Sequence, residues 1–396
     1  MSAAIDLLVI GGGPAGCCIA TLAARQGAKV TLLERSVFPR DKVCGEFVSA
    51  EGVEILRRLG VLGELEAAGA IWIDACRVTD PRGRALDAAL PELKGAGRRA
   101  LGVSRSLLDD TLLRLAASSG VRIRGRCEAV NPLLEDGRVS GLHVRSVGGA
   151  TAVETLRATL VVAADGRRSV LARRLHPRSG DLRRSGPRSW FGLKVHLSTP
   201  PERLEGRVEL HLFDGGYAGL SAVEGRRINL CLMTTVRALR ACGGRPELLV
   251  AQRLLNNPAA REAIGSGEPC GRWKSVGPLR WGVRRASSSG ALFVGDAAGT
   301  LDPFCGEGIS NALRGAELAF PFAMQAMARG GLSRELARGY RWRWSRALGP
   351  VTRRVRLLGS LLERPSLATP VLGLLRGAAH GWTPRLVAAT RTGSRR

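Results

Sequence analysis

Residues 5–16 read IDLLVIGGGPAG, and residues 29–34 read KVTLLE. The run from Ile5 to Ile10 is short, apolar and without alternation, as suits a strand buried on both faces. Gly11, Gly13 and Gly16 follow it at the spacing G-x-G-x-x-G. The stretch after them, rich in Ala, Leu and Ile, predicts a helix through Arg25, stopped at Gly27. Lys29 to Glu34 predicts a second buried strand ending in an acid. Gly11 permits the tight turn, Gly13 lets backbone approach a pyrophosphate, and Gly16 lets helix and strand pack closely. The helix N-terminus offers unpaired N–H groups and a positive dipole to phosphates. Glu34 falls where a carboxylate accepts from a ribose 2′-hydroxyl, which favours an unphosphorylated ribose, as in FAD or NAD.

Two later stretches repeat one theme. Residues 160–169 read LVVAADGRRS and residues 291–299 read ALFVGDAAG. Each is an apolar strand that delivers an Asp, followed by residues able to open a helix. Pro303, Gly306, Glu307 and Gly308 come next, then a helical stretch from Ile309 to Leu318.

These three motifs, in this order, resemble the flavoproteins around p-hydroxybenzoate hydroxylase, and still more the branch containing geranylgeranyl reductases. The resemblance spans roughly residues 5–325. It implies an α/β fold: an FAD-binding Rossmann-like domain of the p-hydroxybenzoate hydroxylase type, an inserted antiparallel β-sheet substrate domain, and C-terminal helices. The expected division gives 1–75, 101–180 and 275–325 to FAD, 76–100 and 181–274 to substrate, and 326–396 to the helical region. By the same resemblance Asp296 bonds the ribityl chain, and Gly306, Gly308 and Ile309 cradle the flavin ring. Asp165 and Gly166 lie near the pyrophosphate, and Arg105 opens a helix beside the cofactor. Pro14, Ala15, Arg35 and Gly295 complete the expected FAD contacts. No second G-x-G-x-x-G stands between strand and helix, so NAD(P)H, the expected electron donor, has no Rossmann unit of its own. That excludes disulfide reductases with two dinucleotide domains.

Residues 38–49 read FPRDKVCGEFVS, ahead of an expected helix from Ala50 to Leu59 that ends at Gly60. The Cys44-Gly45-Glu46 pattern resembles geranylgeranyl reductases, in which this loop lies beside the flavin. Two readings of Cys44 stand level: a proton donor or redox-sensitive thiol, or a small residue at a tight turn. Glu46 orients substrate or, the favoured reading, caps the helix. Residues 215–221, GGYAGLS, lie where prenyl reductases carry Tyr-x-Trp-x-Phe-Pro. Tyr217 is kept, while Gly219 and Ser221 replace the larger aromatics, which disfavours prenyl-chain saturation. Tyr217 lines the pocket or packs on a sheet.

Residues 188–235 predict strands at Ser189–Leu197, Arg207–Phe213 and Arg227–Thr234, in an antiparallel sheet with one packed and one open face. His196 and His211 fall on expected neighbouring strands, where they meet or, the favoured reading, lie on a solvated face. The Phe-Pro-Arg start also resembles flavin halogenases. Their Trp-x-Trp-x-Ile-Pro motif is not matched, because Trp342 and Trp344 come late and are followed by Ser and Arg. Halogenation is set aside.

The net charge is +26, nearly all from arginine, with Lys only at 29, 42, 94, 194 and 274. Such a surface attracts nucleotides, anionic lipid or acidic proteins. Nucleic acid is set aside for want of a reader motif. The nine cysteines contain no C-x-x-C pair, so neither a disulfide framework nor a metal site is expected, and a reducing cytoplasm fits. No signal peptide or membrane-spanning run is expected. Residues 326–396 are Arg-rich, with Pro350, Pro365, Pro370 and Pro384 as breaks. Arg341 to Trp344 and the run Val371–Leu375 suit a membrane face or an acidic carrier protein bearing a tethered substrate. The favoured alternative is helices packed on the flavin domain, with a frayed tail at Thr392–Arg396.

The first functional expectation is an NAD(P)H-using flavin monooxygenase acting on an aromatic or polyketide-like small molecule. The second is a reductase or dehydrogenase of the geranylgeranyl reductase type, acting on C=C or C–C bonds of an apolar substrate. A non-catalytic flavin carrier ranks third.

Overall fold

The computed structural model describes residues 4–90, 100–149, 152–176, 189–198, 201–279, 281–300 and 302–362. The opening motif folds as strand β1 (Ile5–Ile10), helix α1 (Pro14–Ala24) and strand β2 (Val30–Glu34). β1 and β2 pair in parallel, with Leu7 opposite Val30. Leu7, Leu8 and Val9 are all out of solvent, which is why this strand is apolar on both faces.

Helix α2 (Arg105–Ser118) leads into β3 (Arg122–Gly125), which flanks β2 at one edge of the sheet. On the other side of β1 lie β4 (Val153–Ala163) and then β5 (Ala291–Phe293), both parallel. The two Asp-bearing turns therefore leave the same ends of neighbouring strands as the glycine turn. In open α/β sheets this crevice is where ligands bind. A hairpin, Cys127–Glu135 with Arg138–Ser146, extends the first half of β4. Helix α3 (Gly308–Ala328) covers α1, and helix α4 (Arg334–Leu362) packs on α3 and against the short edge strand Ser287–Ser288. Among the described residues no helix is long and apolar enough to cross a membrane.

A second sheet has seven strands, in the order 269–279, 190–197, 227–235, 216–223, 207–213, 75–79, 85–89. Its neighbours are antiparallel except Arg207–Phe213 with Ala75–Thr79. The strand Pro269–Leu279 runs past the expected boundary at 274. The strand Gly216–Val223 was not foreseen, because its glycines read as turns. Gly216 belongs in the sheet for a steric reason: a Cβ there would stand 2.1 Å from the Met233 carbonyl oxygen.

One face of this sheet is apolar. Leu193, Leu220, Leu230 and Leu232 pack with Leu249 and Ile264 of the short helices behind it. The other face turns toward the first sheet. The expectation of an open face fails there: Lys194, His196 and Asn229 are buried. Their partners come from the loop that precedes the helix Ala50–Leu59. That helix ends, as expected, at Gly60 with a left-handed φ of 86°.

The expected break at Pro350 does not occur, since that residue lies inside α4; those at Pro365, Pro370 and Pro384, the run Val371–Leu375 and the tail Thr392–Arg396 lie outside the described residues.

Candidate functional site: a cavity between the two sheets

The three motifs interlock through missing side chains. Gly11 holds a φ of +99°, and a Cβ there would lie 2.7 Å from the Ala164 carbonyl oxygen. At Gly16 the Cβ would come within 1.9 Å of the Gly11 carbonyl oxygen. At Gly295 it would meet the Ala15 methyl at 3.2 Å. The glycine turn, the Asp165 turn and the Asp296 turn thus close on one another. α1 begins at Gly13 with no side-chain cap and no acid in its first turn, so its N–H groups and dipole stay free for an anion.

These turns form one end of a cavity of about 1080 Å³. Of the expected cofactor residues, Gly13, Pro14, Ala15, Arg35 and Arg105 stand in its wall. So do Asp165, Gly166, Gly295, Asp296, Gly306, Gly308 and Ile309. Gly11 and Gly16 lie beneath the turn instead. Glu34 is also behind the wall: its carboxylate accepts from the Gly12 N–H at 2.8 Å and the Ser36 N–H at 2.7 Å. These bonds orient it at the end of β2.

A chain of buried charges leads from Glu34 to the cavity. Arg40 lies 3.6 Å from Glu34 and 3.2 Å from Asp109. Asp109 grips Arg105 in a bidentate pair at 2.9 and 2.7 Å. Arg105 is therefore no solvated helix end but a buried cation with a fixed orientation. Arg40 Nε makes no hydrogen bond among the described residues, although it is buried. A guanidinium with an unbonded, buried Nε beside an uncapped helix N-terminus fits a pyrophosphate, so the residues present suit FAD.

Lys42 lines the cavity. Burial, followed by the cations Arg105 and Arg40, brings its ammonium down to about 8. Burial raises the Asp296 carboxyl, against the pull of Arg167, Lys42, Arg105 and Arg284. Burial also raises the Asp165 carboxyl, and its Oδ2 accepts from the Val170 N–H at 2.8 Å.

Cys44 and Tyr217 both line the cavity. Tyr217 stands edge-on to Phe304, ring centres 5.4 Å apart. The Cys44 carbonyl accepts from Asn229 at 3.0 Å. Its sulfur takes the Glu46 N–H at 3.4 Å and touches the Arg105 guanidinium. Gly219 leaves the wall open, since a Cβ there would meet only the Cys231 carbonyl oxygen, at 3.8 Å.

Two expectations need correction. Glu46 does not cap the following helix, whose N-cap is Ser49. Its carboxylate instead accepts from Lys194 at 2.5 Å, His196 at 2.6 Å and the Arg105 N–H at 2.7 Å. His196 and His211 neither meet nor face solvent. His196 aligns with Asn229 and Ser221, whereas His211 aligns with Ala218, Leu232 and Leu193 on the opposite, apolar-packed face. There it pairs with Thr79 at 2.9 Å and Glu209 at 3.1 Å. Of the two tryptophans in α4, Trp342 is exposed and Trp344 is buried in the cavity wall.

Sequence reasoning missed Arg40, Asp41, Lys42, Lys194 and Asn229. One signal was present. Lys194 and His196 alternate with Leu193, Val195 and Leu197, so they share a face, but nothing local told that this face is buried.

The crevice at the strand ends, the interlocked glycines and the second sheet closing the cavity define a flavin-dependent oxidoreductase of the p-hydroxybenzoate hydroxylase type. The FAD binding domain family matches residues 4–330, and the chain belongs to it. It is similar to the digeranylgeranylglycerophospholipid reductase of Methanoculleus marisnigri, 29% identical over 91% of this chain and 84% of that one. The menaquinone reductase of Mycobacterium tuberculosis is 30% identical over 79% of this chain and 75% of its own. Among solved structures, the myxobacterial chondrochloren halogenase CndH superposes with a TM-score of 0.77 at 23% identity, over 87% of this chain and 80% of that one. At that identity the likeness is one of fold.

Proposed function

We propose that this FAD-dependent oxidoreductase reduces a carbon–carbon double bond in an apolar, isoprenoid-like substrate, with NAD(P)H as electron donor. The observation that carries the reading is Cys44 in the cavity wall, its carbonyl held by Asn229 and its sulfur by the Glu46 N–H. Reduction of an alkene puts a hydride on one carbon and a proton on the other. FAD, when bound, would supply the hydride, with NAD(P)H as the electron donor. The proton has to come from the protein where an apolar wall excludes water, and the Cys44 side chain is the candidate donor there. Val78, Leu86, Val208, Leu210 and Met233 give that wall its apolar character. The reductase names of the two relatives above support the reading. Gly219 leaves room for a bulkier group than a plain prenyl chain, in keeping with the altered Tyr217 segment.

The residues we assign to FAD are Gly13 and Ala15 at the pyrophosphate, with Arg40 and Arg105 beside it, and Glu34 at the ribose. We assign Asp296 to the ribityl chain and Gly306 to Ile309 to the ring. The division of labour we propose follows the two sheets, with 76–100 and 181–274 on the substrate side.

One observation favours a second reading. Tyr217, Phe304 and Trp281 border the same cavity and would stack on a planar ring. That suits NAD(P)H- and O₂-dependent hydroxylation of an aromatic or polyketide-like molecule.

The test is mass spectrometry of products from FAD-loaded protein given NADH or NADPH with a polyprenol or an aromatic polyketide, with and without oxygen. A product heavier by two hydrogens, formed without oxygen, supports reduction. One heavier by an oxygen atom, formed only in air, supports hydroxylation and sinks the first reading. NAD(P)H oxidation with no altered substrate would count against both.

A further inference from the structure

We propose that helix α4 docks the protein on an anionic lipid bilayer, with an arginine–tryptophan face lying among the headgroups. Arg334, Arg338, Trp342, Arg346 and Arg353 recur at near-fourfold spacing, which puts them on one side of a helix. All five are exposed. Leu336, Tyr340, Trp344, Leu348 and Val351 form the opposite, buried side. Glu335 is the one acid in the sequence of α4, against eight arginines. Among the described residues, none of the four arginines on the exposed face has an ion-pair partner.

Trp342 is 64% exposed, the most exposed of the large apolar side chains described. The Arg346 guanidinium lies over its ring, 5.4 Å from the centroid. Packing gives no account of a large ring turned outward. Interfacial chemistry does, since an indole seats at headgroup level while guanidinium groups pair with lipid phosphates. The net charge of +26 draws the whole molecule to a negative surface. An acidic protein would answer the arginines equally well but gives less reason for the ring.

The inner side of the same helix ties the surface to the site. Trp344 and Leu348 stand in the cavity wall, so α4 separates the cavity from the proposed lipid face. A bilayer-dissolved substrate would then have a short path to the site. This purpose rests on the apolar-substrate reading, whereas the docking face itself is read from α4.

The test is co-sedimentation of the full-length, FAD-loaded protein with vesicles. One set is phosphatidylcholine alone, the other phosphatidylcholine mixed with phosphatidylglycerol. Binding is expected to the mixed vesicles, not the neutral ones, and should weaken as salt rises. The variant Arg338→Glu/Trp342→Ala/Arg346→Glu should lose about tenfold or more in partitioning. The control is Arg122→Glu/Arg126→Glu, with the same change in charge at β3, the opposite edge of the sheet from α4. It should stay close to the parent protein. FAD content reports folding in each case, and Trp342→Ala alone, at an exposed position, should give a partial loss if the triple variant does not fold. Equal losses in α4 and control variants would reduce the effect to net charge and overturn the proposal. So would absent binding to mixed vesicles, or α4-dependent capture of an acidic carrier protein in their place. The vesicles contain no reducible substrate, so a failure here leaves the reductase reading untouched, and a failure of reduction leaves the docking result standing.

Discussion

Lys194 Nζ lies 2.5 Å from Glu46 Oε1, and the two side chains are 1% and 0% exposed. The same ammonium reaches Asp41, so one strand of the second sheet clamps both ends of the loop that carries Cys44. Burial alone would push the Lys194 ammonium down, but Glu46 and Asp41 more than reverse it, and the net shift is upward. A cation raised above its ordinary 10.5 contributes stability at neutral pH that is lost only as pH rises through the folded value.

Breaking this pair by Lys194→Met leaves the buried Glu46 with His196 and the Arg105 N–H but without its ammonium partner. We expect a loss of about 3–5 kcal/mol in urea unfolding. Lys194→Met/Glu46→Gln should recover part of that loss. A cost of less than about 1 kcal/mol for the single variant would mean that water already reaches the pair.

Gly16→Ala and Gly308→Ala separate two kinds of glycine. The first drives a methyl into the Gly11 carbonyl, so we expect misfolded or flavin-free protein. At Gly308 a Cβ meets nothing within 4 Å, so the fold should survive. Any drop in its FAD-to-protein absorbance ratio then reports contact with the flavin itself. Full flavin content in Gly308→Ala would remove that residue from the ring cradle.

Lys42 gives FAD binding a pH dependence. Its ammonium, lowered to about 8, is charged below that pH and neutral above it. Affinity for the anionic cofactor should therefore fall as pH climbs through 8, and the slope should vanish in Lys42→Met. Titration of apoprotein by flavin fluorescence quenching measures both. A parallel slope in variant and parent would assign the effect to another group.

Cys44→Ser should keep its flavin, because the serine can retain the contacts made by the loop backbone. We expect reduction of substrate to slow by about a hundredfold or more, the usual weight of a positioned proton donor. Unchanged turnover would make Cys44 a packing residue. Loss of fold would show that the loop depends on its sulfur.

Asp296→Ala removes a carboxylate from the wall between the three motifs. Weaker retention of FAD on gel filtration is the expected outcome. A fully flavinated variant would take Asp296 out of the cofactor contacts.

Much of this molecule was legible before any coordinate. β1, α1 and β2 follow from residues 5–34, because an apolar run, a glycine turn and a second apolar run are local patterns. The turns at Asp165 and Asp296 were visible for the same reason. The two histidines were misplaced because their reading needed the order of four strands, and strand order is a long-range property. Glu46 was read as a cap because a cap is the nearest local use for a carboxylate. Its true side-chain partners, Lys194 and His196, lie about 150 residues away in the chain.

Residues 5–34, 160–169 and 291–308 by themselves determined the nucleotide-binding half, and their resemblance to a flavoprotein family supplied the cofactor. A phosphate-binding turn is made by backbone conformation, and glycines write that conformation directly into the chain. The burial of Lys194 against Glu46, the facing of Cys44 into the cavity and the outward turn of Trp342 were decided only by tertiary structure. For these the physical outcome depends on what packs against each side chain: a charge becomes a clamp, or a ring an exposed surface, only once the second sheet and α4 have taken their places.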